Sequence, residues 1–184
     1  IGGLNIQTAE KAEARAVSTN FTALRVKRDI LRRSYVGVIA TQRTPISTGS
    51  GSNLALGADA DFRLSDEVSV LGYYARTRAS NSTGDESSYR GSFAYSADRY
   101  GFDVEHLMVG SGFDPAIGFV RRQDFRRSSG GARFSPRLRS NKLVRRLSWV
   151  GSLDYFTNAD ATVLEDRTVA ANFDMEFHSS DTAG

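Results

Sequence analysis

The chain contains no cysteine, only two histidines (His106 and His178) and only three prolines. Without cysteine, neither a disulfide framework nor a cysteine-ligated metal site can form. Two histidines leave little room for a histidine-rich metal site, so neither a metal nor a cofactor is expected. No run of 18 apolar residues occurs, which excludes a membrane-spanning helix. Lysine is scarce as well. Of the 24 basic residues only Lys11, Lys27 and Lys142 are lysines, and arginine is the residue that holds fixed, multidentate ion pairs. The formal net charge of +3 gives no electrostatic case for nucleic-acid binding. No signal peptide is visible, and the opening I-G-G-L-N-I-Q-T already reads as strand. The chain reads as a piece of a longer protein, so that absence carries no message about export.

What the sequence has in abundance is alternation with a period of two. Leu54, Leu56, Ala58, Ala60, Phe62 and Leu64 oppose Asn53, Asp59, Asp61 and Arg63. Tyr89, Gly91, Phe93, Tyr95 and Ala97 oppose Ser88, Arg90, Ser92, Ser96 and Asp98. Tyr100, Phe102, Val104 and Met108 oppose Arg99, Asp103 and Glu105. The same rhythm sets Leu147, Trp149, Leu153 and Tyr155 against Arg146, Ser148, Ser152 and Asp154. Val169, Ala171, Phe173 and Met175 oppose Thr168, Asn172, Asp174 and Glu176. This predicts an all-β, antiparallel protein of about eleven strands. Weaker strands are expected near 1–8, 19–30, 34–43, 67–78, 116–122 and 125–135. The only helix-like stretch is 9–16, A-E-K-A-E-A-R-A.

Tight turns at 31–34, 64–67, 97–100 and 122–125 alternate with long polar loops, S-P-R-L-R-S-N-K at 135–142 among them. An up-and-down meander then puts long loops at one end and short turns at the other. Outer-membrane barrels share this asymmetry. A soluble sandwich or lipocalin-like barrel would alternate too, with the apolar face inward. Three features favour the membrane barrel. The strands run to 10–12 residues, the tyrosines gather toward strand ends (Tyr73, Tyr74, Tyr89, Tyr100 and Tyr155, with Phe156), and the opposite face is dense in Asp, Glu and Arg.

Candidate lumen-lining charges are Asp59, Asp61, Arg63, Arg90, Asp103, Glu105, Arg146, Asp154, Asp174 and Glu176. Asp59 with Asp61, and Asp103 with Glu105, have the spacing of an acid/base pair for glycoside hydrolysis. Carboxylates recur on almost every strand, however, so a lattice of ion pairs with Arg25, Arg63, Arg90 and Arg99 is the expectation and no catalytic residue is assigned. Asp85-Glu86 lacks the ordered spacing of a calcium loop, and the glycine-serine run 49–52 lacks the lysine of a phosphate loop. His106 falls on the apolar face beside Val104 and Met108.

Four segments resemble one family: T-N-F-T-A-L-R-V-K-R-D-I-L-R-R-S (19–34), S-Y-R-G-S-F-A-Y (88–95), E-H-L-M-V-G-S-G-F-D-P-A-I-G-F-V-R-R-Q-D-F-R-R (105–127) and W-V-G-S-L-D-Y-F-T-N-A-D (149–160). It is a bacterial family of unknown function in which a carbohydrate-binding family-nine-like domain precedes a C-terminal outer-membrane β-barrel. The resemblance implies that the N-terminal domain and first barrel strands lie outside this chain. It also implies a Gram-negative outer-membrane location, with lipid, lipopolysaccharide, that domain and saccharides as partners. The run 110–127 is expected to enter a strand after Pro115 and to turn at Gln123-Asp124, so that Arg121, Arg122, Arg126 and Arg127 flank a membrane-edge turn. They would pair with Asp124 and lumen carboxylates, or with lipopolysaccharide phosphates. A porin-like channel for polar solutes such as saccharides is the first functional expectation. A membrane anchor with a plugged lumen is the second, and an outer-membrane hydrolase the third.

Overall fold

A computed structural model places the chain in one antiparallel sheet in which each strand pairs with its neighbours in sequence. It describes residues 1–11, 13, 17–46, 51–80 and 82–184. The helix-like stretch 9–16 and the run 49–52 lie partly outside the described residues. The strands are β1 (Gly2–Thr8), β2 (Thr19–Ile30), β3 (Ser34–Pro45), β4 (Asn53–Arg63), β5 (Val68–Ala79) and β6 (Ser87–Ser96). They continue as β7 (Tyr100–Val109), β8 (Phe125–Phe134), β9 (Val144–Thr157), β10 (Leu164–Phe177) and the short β11 (Thr182–Ala183). No pairing joins β1 to β11 among the described residues, so the sheet is open.

One expected strand is absent. Residues 116–122 form no ladder, and the whole of 110–124 is an irregular connection between β7 and β8. Proline at 115 supplies no N–H, and Asp124 takes a left-handed φ of 55°, both of which break strand geometry. The expected hairpin turn at 122–125 therefore does not exist, and the parity of the meander shifts. The connections 9–18, 46–52, 80–86, 110–124 and 158–163 share one end of the sheet, here the loop end. The connections 31–33, 64–67, 97–99, 135–143 and 178–181 share the other, the turn end. The run 135–142 accordingly lies with the turns, and the alternation of long and short is not strict.

Register fixes which side chains share a face, because directly opposed residues point the same way. One face carries Leu24, Val26, Val38, Leu56, Ala58, Val104 and Val169 among others, and is apolar over most of its width. The aromatic side chains Tyr100, Phe134, Trp149 and Phe173 stand opposite one another on it, with ring centroids 5.3, 5.7 and 5.2 Å apart. This ladder lies toward the turn end. Tyr74, Tyr89 and Tyr155 lie on the same face nearer the loop end. Tyr73 and Phe156, expected in the same aromatic belt, instead point to the other face, beside Arg90 and Arg127.

Among the described residues no second layer of protein covers the apolar face. The buried apolar side chains among the described residues are Met108, Val109, Phe113 and Ala159, too few for the core of a domain this size. The accessible surface is 12504 Å², against roughly 8,700 Å² expected from surface–mass scaling for a folded monomer of this mass. Backbone pairing organises this sheet, and its apolar side has no partner among the described residues.

Candidate functional site

The polar face holds the charges in a lattice that crosses strands. Arg25 on β2 reaches past β3 to Asp59 on β4 in a bidentate contact, with Nη1 to Oδ1 2.5 Å and Nη2 to Oδ2 2.8 Å. Gly37 stands between them on β3. A Cβ there would lie 2.5 Å from the Arg25 Nη2 atom and 3.1 Å from the Asp59 Oδ1 atom. A glycine is needed for the guanidinium to lie flat over the middle strand. In a double-mutant cycle over Arg25→Ala and Asp59→Ala we expect a coupling of about 1 kcal/mol, typical of a half-exposed pair. Gly37→Ala should take that coupling toward zero. A coupling that persists in that background would mean the guanidinium does not cross at Gly37.

A second series runs over four strands. Arg90 on β6 contacts Glu105 on β7, its Nε 2.9 Å from Oε2. Glu105 in turn lies 4.0 Å from Arg127 on β8, and Arg127 forks onto Asp154 on β9 with Nε 3.0 Å from Oδ1 and Nη2 2.5 Å from Oδ2. Toward the turn end, Arg145 and Arg146 both pair with Glu176, at 2.9 and 3.0 Å. Asp61, Arg63, Asp103 and Asp174 share this face but have no ion-pair partner within 4.0 Å among the described residues. Arg99 likewise joins no carboxylate and lies over the Tyr100 and Phe134 rings. A hollow of about 680 Å³ lies over β6 to β10, with Asp103, Arg127, Arg133 and Asp154 beside Phe102, Val150 and Phe156 on its walls.

The distribution of charge between the faces is one-sided. Asp29, Asp59, Asp61, Asp103, Glu105, Asp154, Asp166, Asp174 and Glu176 comprise every carboxylate held in register within a described strand, and all are on the polar face. The in-register charges of the apolar face are Arg28, Arg76, Arg78, Arg126 and Arg167. His106 is also on the apolar face, its Nδ1 2.8 Å from the Ser128 hydroxyl and its ring stacked on Tyr89.

The four arginines of 121–127 separate in the structure. Arg127 joins the lattice, whereas Arg126, its neighbour along β8, points to the apolar face. Arg122 pairs with Glu165 and lies over the Phe125 ring, and Arg121 is exposed. Asp124 pairs with none of them, because its carboxylate accepts the Ala159 N–H at 3.2 Å.

The connection 110–124 is a folded strap laid over the loop end of the polar face. Asn53, at the start of β4, grips it twice: Nδ2 donates to the Asp114 carbonyl at 2.8 Å, and Oδ1 accepts the Ala116 N–H at 3.1 Å. The Thr77 hydroxyl on β5 accepts the Asp114 N–H at 3.2 Å, and Phe113 is buried beneath. Gln123 Nε2 donates to the Phe113 carbonyl at 2.7 Å and closes the strap on itself. At its start, a Cβ on Gly110 would fall 2.1 Å from the Asp85 carbonyl oxygen. The strap thus leaves β7, is pinned over β4 and β5, and returns to β10 through Arg122 and to the β9–β10 connection through Asp124. Phe119, 87% exposed, and Arg121 lie between the anchors.

Sequence reasoning did not identify Asn53 or Thr77 as anchors, since nothing local marks a polar residue near a strand end as a grip for a distant loop, and it took Gln123 for a turn residue rather than the strap's internal clasp. It did not single out Arg76 and Arg78 either, although the even-numbered rhythm of Val70 and Tyr74 was a signal that could have placed them on the apolar face. Among the described residues no group of three or more His, Cys, Asp or Glu could hold a metal ion, and Asp85 accepts instead from the Ser87 N–H and hydroxyl. Comparison with protein-family models, curated proteins and solved structures returns no match for this chain.

Proposed function

We propose that this chain is part of a bacterial outer-membrane β-barrel whose polar face lines a passage for polar solutes, saccharides among them. The observation that carries the reading is the apolar face of β2 to β10, which has no partner and almost no buried apolar side chain among the described residues. In water such a surface far exceeds the few hundred Å² that soluble monomers leave bare, whereas lipid covers it at no cost. Strands of 10–14 residues are long enough to cross a bilayer at a tilt. The opposite face is wet and charged, as a barrel interior is, and closure would need further strands to join β1 to the other edge. The resemblance to the barrel family with a carbohydrate-binding-like domain supports saccharides as the solute class.

The strap favours a second reading, a membrane anchor with an obstructed lumen that displays a preceding domain. Single-channel recording of the full-length protein in planar bilayers separates the two. Steady conductance is expected for the passage, and it should persist when the preceding domain is removed. Current only after that removal would favour the anchor with a domain-plugged lumen. Silence from correctly folded protein in both forms would sink the passage.

A further inference from the structure

We infer that Arg76, Arg78, Arg126 and Arg167 form a phosphate-binding belt on the outside of the sheet that takes the phosphates of lipid headgroups. The inference rests on the membrane reading above and adds a ligand to the face that reading assigns to lipid. All four residues lie on the apolar face and toward the loop end of their strands, β5, β8 and β10. They are interleaved with tyrosines: Tyr74 precedes Arg76 on the same face of β5, and Tyr155 stands directly opposite Arg167. No in-register carboxylate shares the face, and none of the four makes an ion pair within 4.0 Å among the described residues. Arg126 goes further, since its Nε is buried without a hydrogen-bond partner.

A guanidinium on a lipid-covered face is costly unless an anion meets it. On this face the described strands offer no in-register carboxylate, although they provide carboxylates generously on the other. At the headgroup level the anion is phosphate, whose oxygens match the guanidinium fork. The flexible arginine stems lie along apolar surface while the heads reach the interface. Toward the turn end the same face carries Arg28 in register, and Arg99 lies over the Tyr100 and Phe134 rings there, so the denser cluster, and with it the belt, belongs to the leaflet at the loop end. In a barrel with long external loops that leaflet holds lipopolysaccharide.

The test is lipid retention by the full-length protein, measured by native mass spectrometry from micelles containing lipopolysaccharide, dephosphorylated lipopolysaccharide or phosphatidylglycerol. The parent protein is expected to retain phosphorylated lipopolysaccharide and to release the dephosphorylated form. Combined Arg76→Gln, Arg78→Gln, Arg126→Gln and Arg167→Gln should weaken retention by about tenfold or more, and Arg28→Gln should leave it unchanged. Retention of phosphatidylglycerol as well would assign the belt to phosphate in general; its release would assign it to lipopolysaccharide phosphate. Should the fourfold variant misfold, the exposed single variants Arg76→Gln and Arg78→Gln carry the test, each with a severalfold loss. Equal retention of the dephosphorylated lipid, or undiminished retention by the variants, overturns the belt. Insertion into vesicles of every composition without lipid preference overturns the belt alone, and failure to enter any vesicle overturns the membrane reading with it.

Discussion

Val38→Arg is expected to abolish insertion into lipid vesicles, while Ile39→Arg, one residue along β3, inserts like the parent protein. The two side chains are comparably exposed, 53% and 41%, and differ only in which face they occupy. Val38 stands opposite Val26 and Ala58 on the apolar face, and Ile39 opposite Arg25 and Gly57 on the polar one. If lipid covers the apolar face, an arginine at Val38 costs about 2–4 kcal/mol near mid-depth, a large part of the stability of a typical fold. At Ile39 the guanidinium enters a wet, charged surface where Arg25 is already matched by Asp59. If both faces met water, both substitutions would fall within about 0.5 kcal/mol of neutral, as isolated surface changes do. Insertion measured by protection from protease in vesicles, with the two variants side by side, decides. Equal behaviour of the pair would remove the ground for a membrane face.

The sheet was legible because its signal is local and repeated. In β4 the alternation of Leu54, Leu56, Ala58, Ala60 and Phe62 with Asp59, Asp61 and Arg63 fixes strand, face and neighbours together, and pairing by sequence order does the rest. The segment 116–122 shows where that logic stops. Ile117 and Phe119 alternate as strand residues do, yet Asn53 and Thr77, more than thirty positions upstream, capture the backbone on either side of Pro115. Side-chain capture of a loop depends on tertiary proximity, and no periodicity announces it. Individual ion pairs were partly legible for the same reason. Glu105 and Arg90 lie on adjoining strands and meet, but the Arg25–Asp59 pair needs a glycine on the strand between, and Arg63 finds no partner despite its place on the same face.

Removing residues 117–121 from the strap is expected to raise single-channel conductance at least about twofold, because a passage is limited by its narrowest part. The strap lies over the polar face at the loop end, crosses between anchors on β4–β5 and on β9–β10, and presents Phe119 and Arg121 between them. Releasing one anchor tests the same point without shortening the chain. Asn53→Ala with Thr77→Ala strips the Asp114 carbonyl and the Asp114 and Ala116 N–H groups of their partners. These groups are only part-buried, so each one left unpaired costs about 1 kcal/mol, the low end for an unmade hydrogen bond; the strap should loosen in its seat and the open-channel current should become larger and noisier. Charge reversal gives an independent reading. Arg121 is exposed with no carboxylate within 4.0 Å among the described residues, and Arg121→Glu should shift permeability toward cations without changing the amount of folded protein. The shift should fade at high salt, where fixed charges are screened. A shortened strap that leaves both current and ion preference at the parent values, in a barrel shown to be folded, would place the narrow point elsewhere. The lattice joining Arg90, Glu105, Arg127 and Asp154, which crosses the same face below the strap, would then be the next constriction to vary.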